Sequence, residues 1–206
     1  MKFIKKAALL LIIVFASTAK GQEFGGGLIL GASTSQLSGD QLGGFNKIGF
    51  ITGVYTNRSL NKALNLKMEL KYIEKGSKNP EDNITGPHEY SLNYMEIPLV
   101  IQYKSQPKIY IEFGGYLGIL THQNESYADG VKITGANPSN GPFNKTDYGF
   151  CIGLDYFITS SLSINSRFSN TLFFTPIRNH ASAAKIWYNQ GQYNTILSFS
   201  IQYHLL

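Results

Sequence analysis

The feature that most constrains the fold of this chain is a strict alternation of apolar and polar residues. In the stretch 64–72 every even-numbered position is apolar, whereas the odd-numbered positions carry Asn65, Lys67, Glu69 and Lys71. Successive side chains of a β-strand point to opposite faces, so this stretch predicts a strand with one apolar and one polar face. A helix would scatter the charged residues around its circumference, which makes a helix the poorer interpretation.

The same period of two recurs in other segments. Five of them carry the same alternation, namely 95–103, 109–114, 147–156, 162–168 and 197–205. Two more, 24–32 and 45–56, are weaker because glycines interrupt the apolar positions, and their register is left open. With the first stretch, these segments predict eight strands.

The lengths of the connections indicate how the strands are arranged, because short and long connections alternate strictly. The short ones are 57–62, 104–108 and 157–161, and the long ones are 33–44, 77–88, 123–144 and 174–191. Aromatic residues also stand towards strand ends, at Tyr72, Tyr103, Tyr156 and Tyr203. These features predict an all-β fold, an eight-stranded antiparallel up-and-down transmembrane β-barrel with short periplasmic turns and long extracellular loops. A secreted lipocalin-like barrel or a sandwich is the alternative.

The N-terminal segment has the pattern of a secretory signal. Lys2, Lys5 and Lys6 precede an apolar run over 7–15, which is too short to span a bilayer as a helix. Ala19 and Gly21 follow at the spacing of a cleavage site. We therefore expect residues 1–21 to be a signal peptide and 22–206 to be an outer-membrane β-barrel domain. The alternative is a buried N-terminal helix.

Charge and cysteine content argue against nucleic-acid binding and against lipid anchoring. The chain has 18 basic and 13 acidic residues, but four of the lysines lie in 1–21, so the mature chain carries a net charge of +1. This balance gives no support for nucleic-acid binding. The single cysteine, Cys151, cannot form an internal disulfide and lies far from the cleavage site, which argues against lipid anchoring. We expect it to be a small residue that fills the lumen.

The polar strand faces predict the content of the barrel. If the apolar faces contact lipid, the polar faces line a lumen that eight strands make narrow. The residues expected there, the lumen polar cluster, are Lys67, Glu69, Lys71, Glu96, Glu112, Asp147, Asp155 and Arg167. Because isolated buried charges are costly, we expect these charges to pair. They are then a polar core that satisfies itself, an ion-pair plug against diffusion, or the lining of a narrow channel.

No constellation of residues predicts a catalytic, cofactor or metal site. The carboxylates Glu96 and Glu112 suggest glycosidase chemistry only if the lumen admits a sugar, which a small barrel does not. The histidines of the long connections lack metal-ligand spacing; these are His88, His122 and His180.

Lipid A-modifying barrels suggest a further enzyme hypothesis, since one deacylase family has a His-x-Ser pair followed by Asn. Here Arg167 replaces the histidine before Ser169, and a serine without a base is a poor nucleophile. His180 and Ser182 keep the pair without the matching context.

The long connections are the expected carriers of function. Phe173 and Phe174, with Trp187 and Tyr188, form a candidate loop contact for a protein or a lipid headgroup. The alternative is that these rings pack on the barrel rim.

Four stretches carry a family resemblance: 66–76, 94–103, 110–118 and 147–153. On these the chain resembles the small outer-membrane β-barrel proteins of Bacteroidota that are labelled porin family or PorT family. The C-terminal Leu205 and Leu206 depart from the aromatic ending often seen in such barrels. The resemblance implies an integral protein of the cell outer membrane with outer-membrane lipid around it. It also points to envelope or secretion-complex proteins as partners.

These observations lead to one preferred function and two alternatives. We expect a non-enzymatic barrel that serves as a structural or interaction subunit of the cell envelope, in association with secretion machinery or free-standing. The alternatives are a narrow channel for small solutes and a lipid A-modifying enzyme.

Overall fold

The computed structural model describes residues 24–40, 42–80, 87–127, 132–134, 141–179 and 191–205. The expected signal peptide, 1–21, lies outside the described residues. Within them the chain forms ten strands and no helix: β1 Phe24–Ser38, β2 Lys47–Ser59, β3 Leu64–Lys78, β4 Pro87–Gln106, β5 Ile109–Tyr127, β6 Lys132–Thr134, β7 Thr146–Phe157, β8 Leu162–Thr171, β9 Arg178–Asn179 and β10 Gly191–His204. No helix that could span a bilayer occurs in the described part of the chain.

Eight long strands close into an antiparallel barrel, which confirms the predicted fold. Each pairs with its neighbour in the order β1-β2-β3-β4-β5-β7-β8-β10. β10 then pairs with β1 in a ladder from Gly27–His204 to Ser38–Tyr193, and closes the sheet. Two short strands were not predicted: β6 pairs with β5 and β9 pairs with β10, both among the long connections.

The alternation in the sequence becomes a lipid-facing surface and a lumen. Along β7 every second residue is exposed, from Tyr148 to Tyr156, and the residues between them are buried. Large apolar side chains face outward and stay about half exposed, such as Leu154 at 53% and Phe199 at 56%. From Tyr148 to Tyr156 a strand tilted by about 40° rises roughly 20 Å, close to the apolar band of such barrels.

Short turns join the strands at one end of the barrel, which we call the turn end. They occupy 60–63, 107–108 and 158–161. In the first of these the side-chain oxygen of Asn61 accepts hydrogen bonds from the amides of Ala63 and Leu64, at 2.8 and 2.9 Å. The long connections lie at the opposite end, the loop end.

Three strands run further towards the loop end than the sequence predicted, whereas β2 and β8 stop about two residues short of the expected connections. The expected connections began at 33, 77 and 123, whereas β1 continues to Ser38, β3 to Lys78 and β5 to Tyr127. Above the apolar band the outward-facing positions become polar, for example Glu74 and Lys78, so the alternation disappears from the sequence. The backbone ladder nevertheless continues, with Lys78 still paired to Glu89.

Candidate functional site

Five charged residues form the lower cluster, in the half of the lumen nearer the turn end. Arg167 makes a two-pronged ion pair with Glu69, with Nη1–Oε2 at 2.8 Å and Nη2–Oε1 at 2.7 Å. Its Nη2 also donates to Oε2 of Glu112 at 2.6 Å. Lys67 Nζ lies 3.3 Å from both Glu69 and Glu112 and 3.6 Å from Asp155. Two cations therefore share three carboxylates.

Amide side chains complete the lower cluster. Gln102 donates to Glu112 at 2.9 Å and to Asp155 at 3.2 Å. Asn165 donates to the second oxygen of Glu112 at 2.9 Å. Glu112, which is 0% exposed, thus accepts from four residues. Neutral donors add partners for the carboxylates without adding charge, which lowers the cost of burying an uneven number of charges.

A second group, the upper cluster, lies towards the loop end and contains Lys71, Lys75, Glu96 and Asp147. Lys71 pairs with Glu96 at 3.2 Å, and Lys75 pairs with Asp147 at 3.0 Å and with Glu96. Thr171 and Asn194 donate to Asp147 at 2.8 and 2.9 Å. Two lysines and two carboxylates balance, so the upper cluster carries no net charge.

Aromatic rings surround the upper cluster. Lys75 Nζ lies 4.7 Å from the ring centre of Tyr94 and 4.6 Å from that of Tyr116. A cation over an aromatic face is attracted by the ring quadrupole. Tyr116 extends across β7 at Gly149, where an added Cβ would lie 2.1 Å from the ring. The strand therefore needs glycine at this position for the ring to pass.

The structure places all eight residues of the predicted lumen polar cluster inside the barrel, each at most 4% exposed. Cys151 is also buried in the lumen. Three buried charged residues were missed by the sequence reasoning: Lys75, Glu125 and Arg178. Lys75 has a signal, because the period of two that passes through Lys71 reaches it once β3 is extended. The sequence carries no such signal for Arg178, because it follows Ile177 in a connection without alternation.

An apolar cap closes the loop end of the lumen. Leu42, Phe143 and Ile177 come from three long connections and are at most 8% exposed. They pack with Tyr90 and Leu92 of β4 in the same buried cluster. Three apolar side chains from the loops therefore fill the barrel mouth and shield the ion pairs from water.

Arg178 ties the cap to the barrel wall. Its Nη1 lies 2.6 Å from Oε1 of Glu125 on β5, and its Nε donates to Gln192 on β10 at 2.9 Å. The guanidinium also lies 4.0 Å from the ring centre of Phe143 and 5.2 Å from that of Tyr90. One residue thus joins two loops to three strands.

Asp40 is a titratable group beside the cap and outside the strands. Its Oδ1 accepts a hydrogen bond from the amide of Leu42 at 2.8 Å. Burial raises the pKa of Asp40 to about 6, although hydrogen bonds and the charge of Arg178 oppose the shift. The ionised carboxylate is thus disfavoured in the folded loop.

Aromatic side chains close the turn end of the lumen. The ring of His204 stacks on Phe157, with centroids 4.7 Å apart and planes at 16°. The ring nitrogens of His204 contact the hydroxyls of Tyr55 and Ser163, the latter at 3.0 Å. Both ends of the polar lumen are thus covered by rings or apolar side chains.

The geometry does not support the chemical alternatives raised by the sequence. Glu96 and Glu112 are both engaged in ion pairs. Ser169 faces the lumen at 6% exposure, and the neighbouring Arg167 is fully committed to carboxylates. Within the described ranges no group of three or more His, Cys, Asp and Glu is arranged to hold a metal ion. His180 and Ser182 lie outside those ranges.

The candidate loop contact is described in part. Phe173 and Phe174 are 49% and 63% exposed, with ring centroids 5.1 Å apart and planes at 89°. They follow β8 at the loop end, where the amide of Leu172 donates to Tyr148 at 2.8 Å. Trp187 and Tyr188 lie outside the described residues.

Comparisons with known proteins agree with the architecture. The model of the family described as an outer membrane protein beta-barrel domain matches residues 15–173. No curated protein matches the chain. Among solved structures, Neisserial surface protein A is similar at a TM-score of 0.55, with 13% identity over 86% of this chain and 96% of that one. Ail, the attachment invasion locus protein of Yersinia pestis, is similar at a TM-score of 0.51, with 11% identity over 89% of this chain and 99% of that one. At these identities the likeness shows the fold alone.

Proposed function

Because this chain belongs to the outer membrane protein beta-barrel domain family, we propose that it is a non-enzymatic structural or interaction subunit of the outer membrane. The barrel anchors the protein in lipid, and the loop end presents the surface that partners contact. Residues 1–21 would export the chain as a signal peptide.

One observation carries this proposal, namely that the lumen is filled. Two ion-paired clusters occupy its interior, the apolar cap covers the loop end, and the rings of Tyr55, Phe157 and His204 cover the turn end. A solute would have to separate buried ion pairs to pass, which costs several kcal/mol for each charge left unpaired. The ion pairs then act as a plug, and this disfavours the narrow channel.

The outer rim offers the contact surface. Phe173 and Phe174 are exposed aromatic residues at the loop end, and large exposed rings are frequent anchors of protein interfaces. Together with Trp187 and Tyr188 they would form the surface that binds a larger envelope protein. The resemblance to the PorT family of Bacteroidota points to secretion machinery as the assembly.

The test is affinity purification of the tagged protein from native outer membranes in mild detergent, followed by mass spectrometry. We expect stoichiometric recovery of larger envelope proteins, and we expect the F173S/F174S variant to lose them. A matched control is F199S, which removes an equally exposed ring from the lipid-facing side of β10. Recovery of the barrel alone, or unchanged complexes in F173S/F174S, would contradict the proposed interaction role.

A further inference from the structure

A notch interrupts the barrel wall where β5 and β7 separate. Their ladder ends with the pair Ile119–Thr146, whereas β5 continues and pairs with β6 only from Asn124 onwards. Between these points lies a cavity of about 250 Å³, whose lining includes His122, Phe143 and Lys145. Phe143 closes the notch on the lumen side, so it opens outward.

The notch lies at the edge of the apolar band. On β5 the last apolar outward residue is Ile119, at 46% exposure, and on β7 it is Tyr148, at 45%. The next outward positions, His122 and Thr146, are polar and exposed. In a membrane, this is the level at which hydrocarbon gives way to lipid headgroups.

Among the described residues, the outward surface around the notch carries basic side chains and no unpaired carboxylate. All carboxylates in the described parts of β5, β7 and β8 are buried in the lumen, each at most 2% exposed: Glu112, Glu125, Asp147 and Asp155. His122 and Lys145 are both exposed, and neither forms an ion pair in the described structure. On the neighbouring strand β4, Glu89 lies further towards the loop end, and its carboxylate is paired with Lys47.

Backbone contacts hold the two lips of the notch in place. The amide of Leu120 donates to the carbonyl of Lys145 at 2.8 Å, which fixes the backbone next to both basic residues. The side chain of Asn144 donates to the carbonyl of Pro176 at 2.8 Å. The backbone from which both side chains extend is therefore already ordered before a ligand binds, which reduces the entropy lost on binding.

We propose that this notch binds the phosphate of an anionic lipid in the outer leaflet. The Lys145 ammonium and the His122 imidazole donate to the phosphate oxygens, since an anion gains most from donors that no carboxylate already engages. The acyl chains lie along the exposed apolar column of Ile119, Tyr148 and Phe150 directly beneath. The inference is independent of the protein partner proposed above.

The test measures lipid binding to the full-length protein by native mass spectrometry in detergent, with diphosphoryl lipid A as the probe and phosphatidylcholine as the neutral lipid. We expect the phosphorylated lipid to bind more tightly than phosphatidylcholine, and the K145Q variant to bind it about fivefold more weakly. The H122Q/K145Q variant should lose more. K108Q removes the same charge from the exposed turn between β4 and β5, and should change the affinity less than twofold.

Heat-dependent migration on a denaturing gel shows that each variant remains folded. Equal weakening by K108Q would mean that only net charge matters, and equal binding of phosphatidylcholine would mean that the notch does not recognise phosphate. Either result overturns the proposal. Persistent binding in H122Q/K145Q would do the same.

Discussion

At the scale of single residues, Arg167 is the most consequential side chain in the lumen. It is 3% exposed and contacts both Glu69 and Glu112. The lower cluster already has one more carboxylate than it has cations. Removal of Arg167 leaves three buried carboxylates with Lys67 alone, and breaking a buried pair in this way usually costs about 3 to 5 kcal/mol.

We therefore expect R167Q to lower the free energy of unfolding of the barrel by about 3 kcal/mol or more. Urea unfolding in lipid vesicles, followed by gel migration, measures the change. The double variant E69Q/R167Q should recover part of the loss, because it removes one carboxylate together with one cation and so restores the net charge of the wild-type cluster. R58Q, at a half-buried position near the turn end of β2, is the matched control and should change stability by less than about 1 kcal/mol. An R167Q barrel as stable as the R58Q barrel would contradict this account.

Gly149 allows a second prediction at this scale, because the ring of Tyr116 occupies the space of its missing side chain. An added Cβ would lie 2.1 Å from the ring, so G149A must displace Tyr116 from Asp147 and Lys75. We expect a loss of about 1 to 3 kcal/mol in the same unfolding measurement. The control is G115A on β5, which faces lipid and whose nearest neighbouring atom is 3.4 Å away. Equal stabilities of the two variants would show that the ring packing is unimportant.

Residue-level inference from the sequence succeeded where a charge lies on an alternating strand and failed elsewhere. Lys67, Glu112 and Arg167 are fixed in the lumen by parity alone, since neighbours on a strand point to opposite faces. Their partners were not predictable, because pairing across the barrel depends on the register of strands distant in sequence. Arg178 lies in a connection, where no periodicity specifies direction.

At the scale of elements, the long connections are more ordered than the sequence suggested. They were predicted from the loss of alternation, and alternation is lost where the outward-facing side becomes polar, although the strands continue. Apolar residues such as Leu42 and Ile177 appear in the sequence as isolated residues among polar ones. Only the closed barrel shows that they fill its mouth.

The ion pair between Arg178 and Glu125 predicts how the cap responds to mutation. Removal of the arginine leaves Glu125 buried without its cation and detaches β9 from β5, so we expect R178Q to loosen the cap while the barrel stays closed. Hydrogen exchange is the measurement: the amides of Asn144 and Ile177, which bond to Ile177 and Gln192, should exchange at least tenfold faster. Amides of β7 should be unaffected, and R58Q again serves as the control. Unchanged exchange at both amides would show that Arg178 does not hold the cap.

At the scale of the whole molecule, the architecture follows from the two different environments that the two faces of one sheet meet. Lipid outside selects apolar residues at alternate positions, and a narrow interior selects polar residues that satisfy one another. The strict order of short and long connections then gives an up-and-down topology. These properties are visible in the sequence, which is why the barrel was predictable from it, whereas the identity of the proposed partner is not.

A filled barrel is closed to solutes. The most direct measurement is the conductance of the purified full-length protein in planar lipid bilayers, with its insertion verified by heat-dependent gel migration of the recovered protein. We expect no steady conductance above that of the bare bilayer, because the apolar cap and two ion-paired clusters lie in series along the lumen. A large and steady conductance from the folded wild-type protein would contradict it.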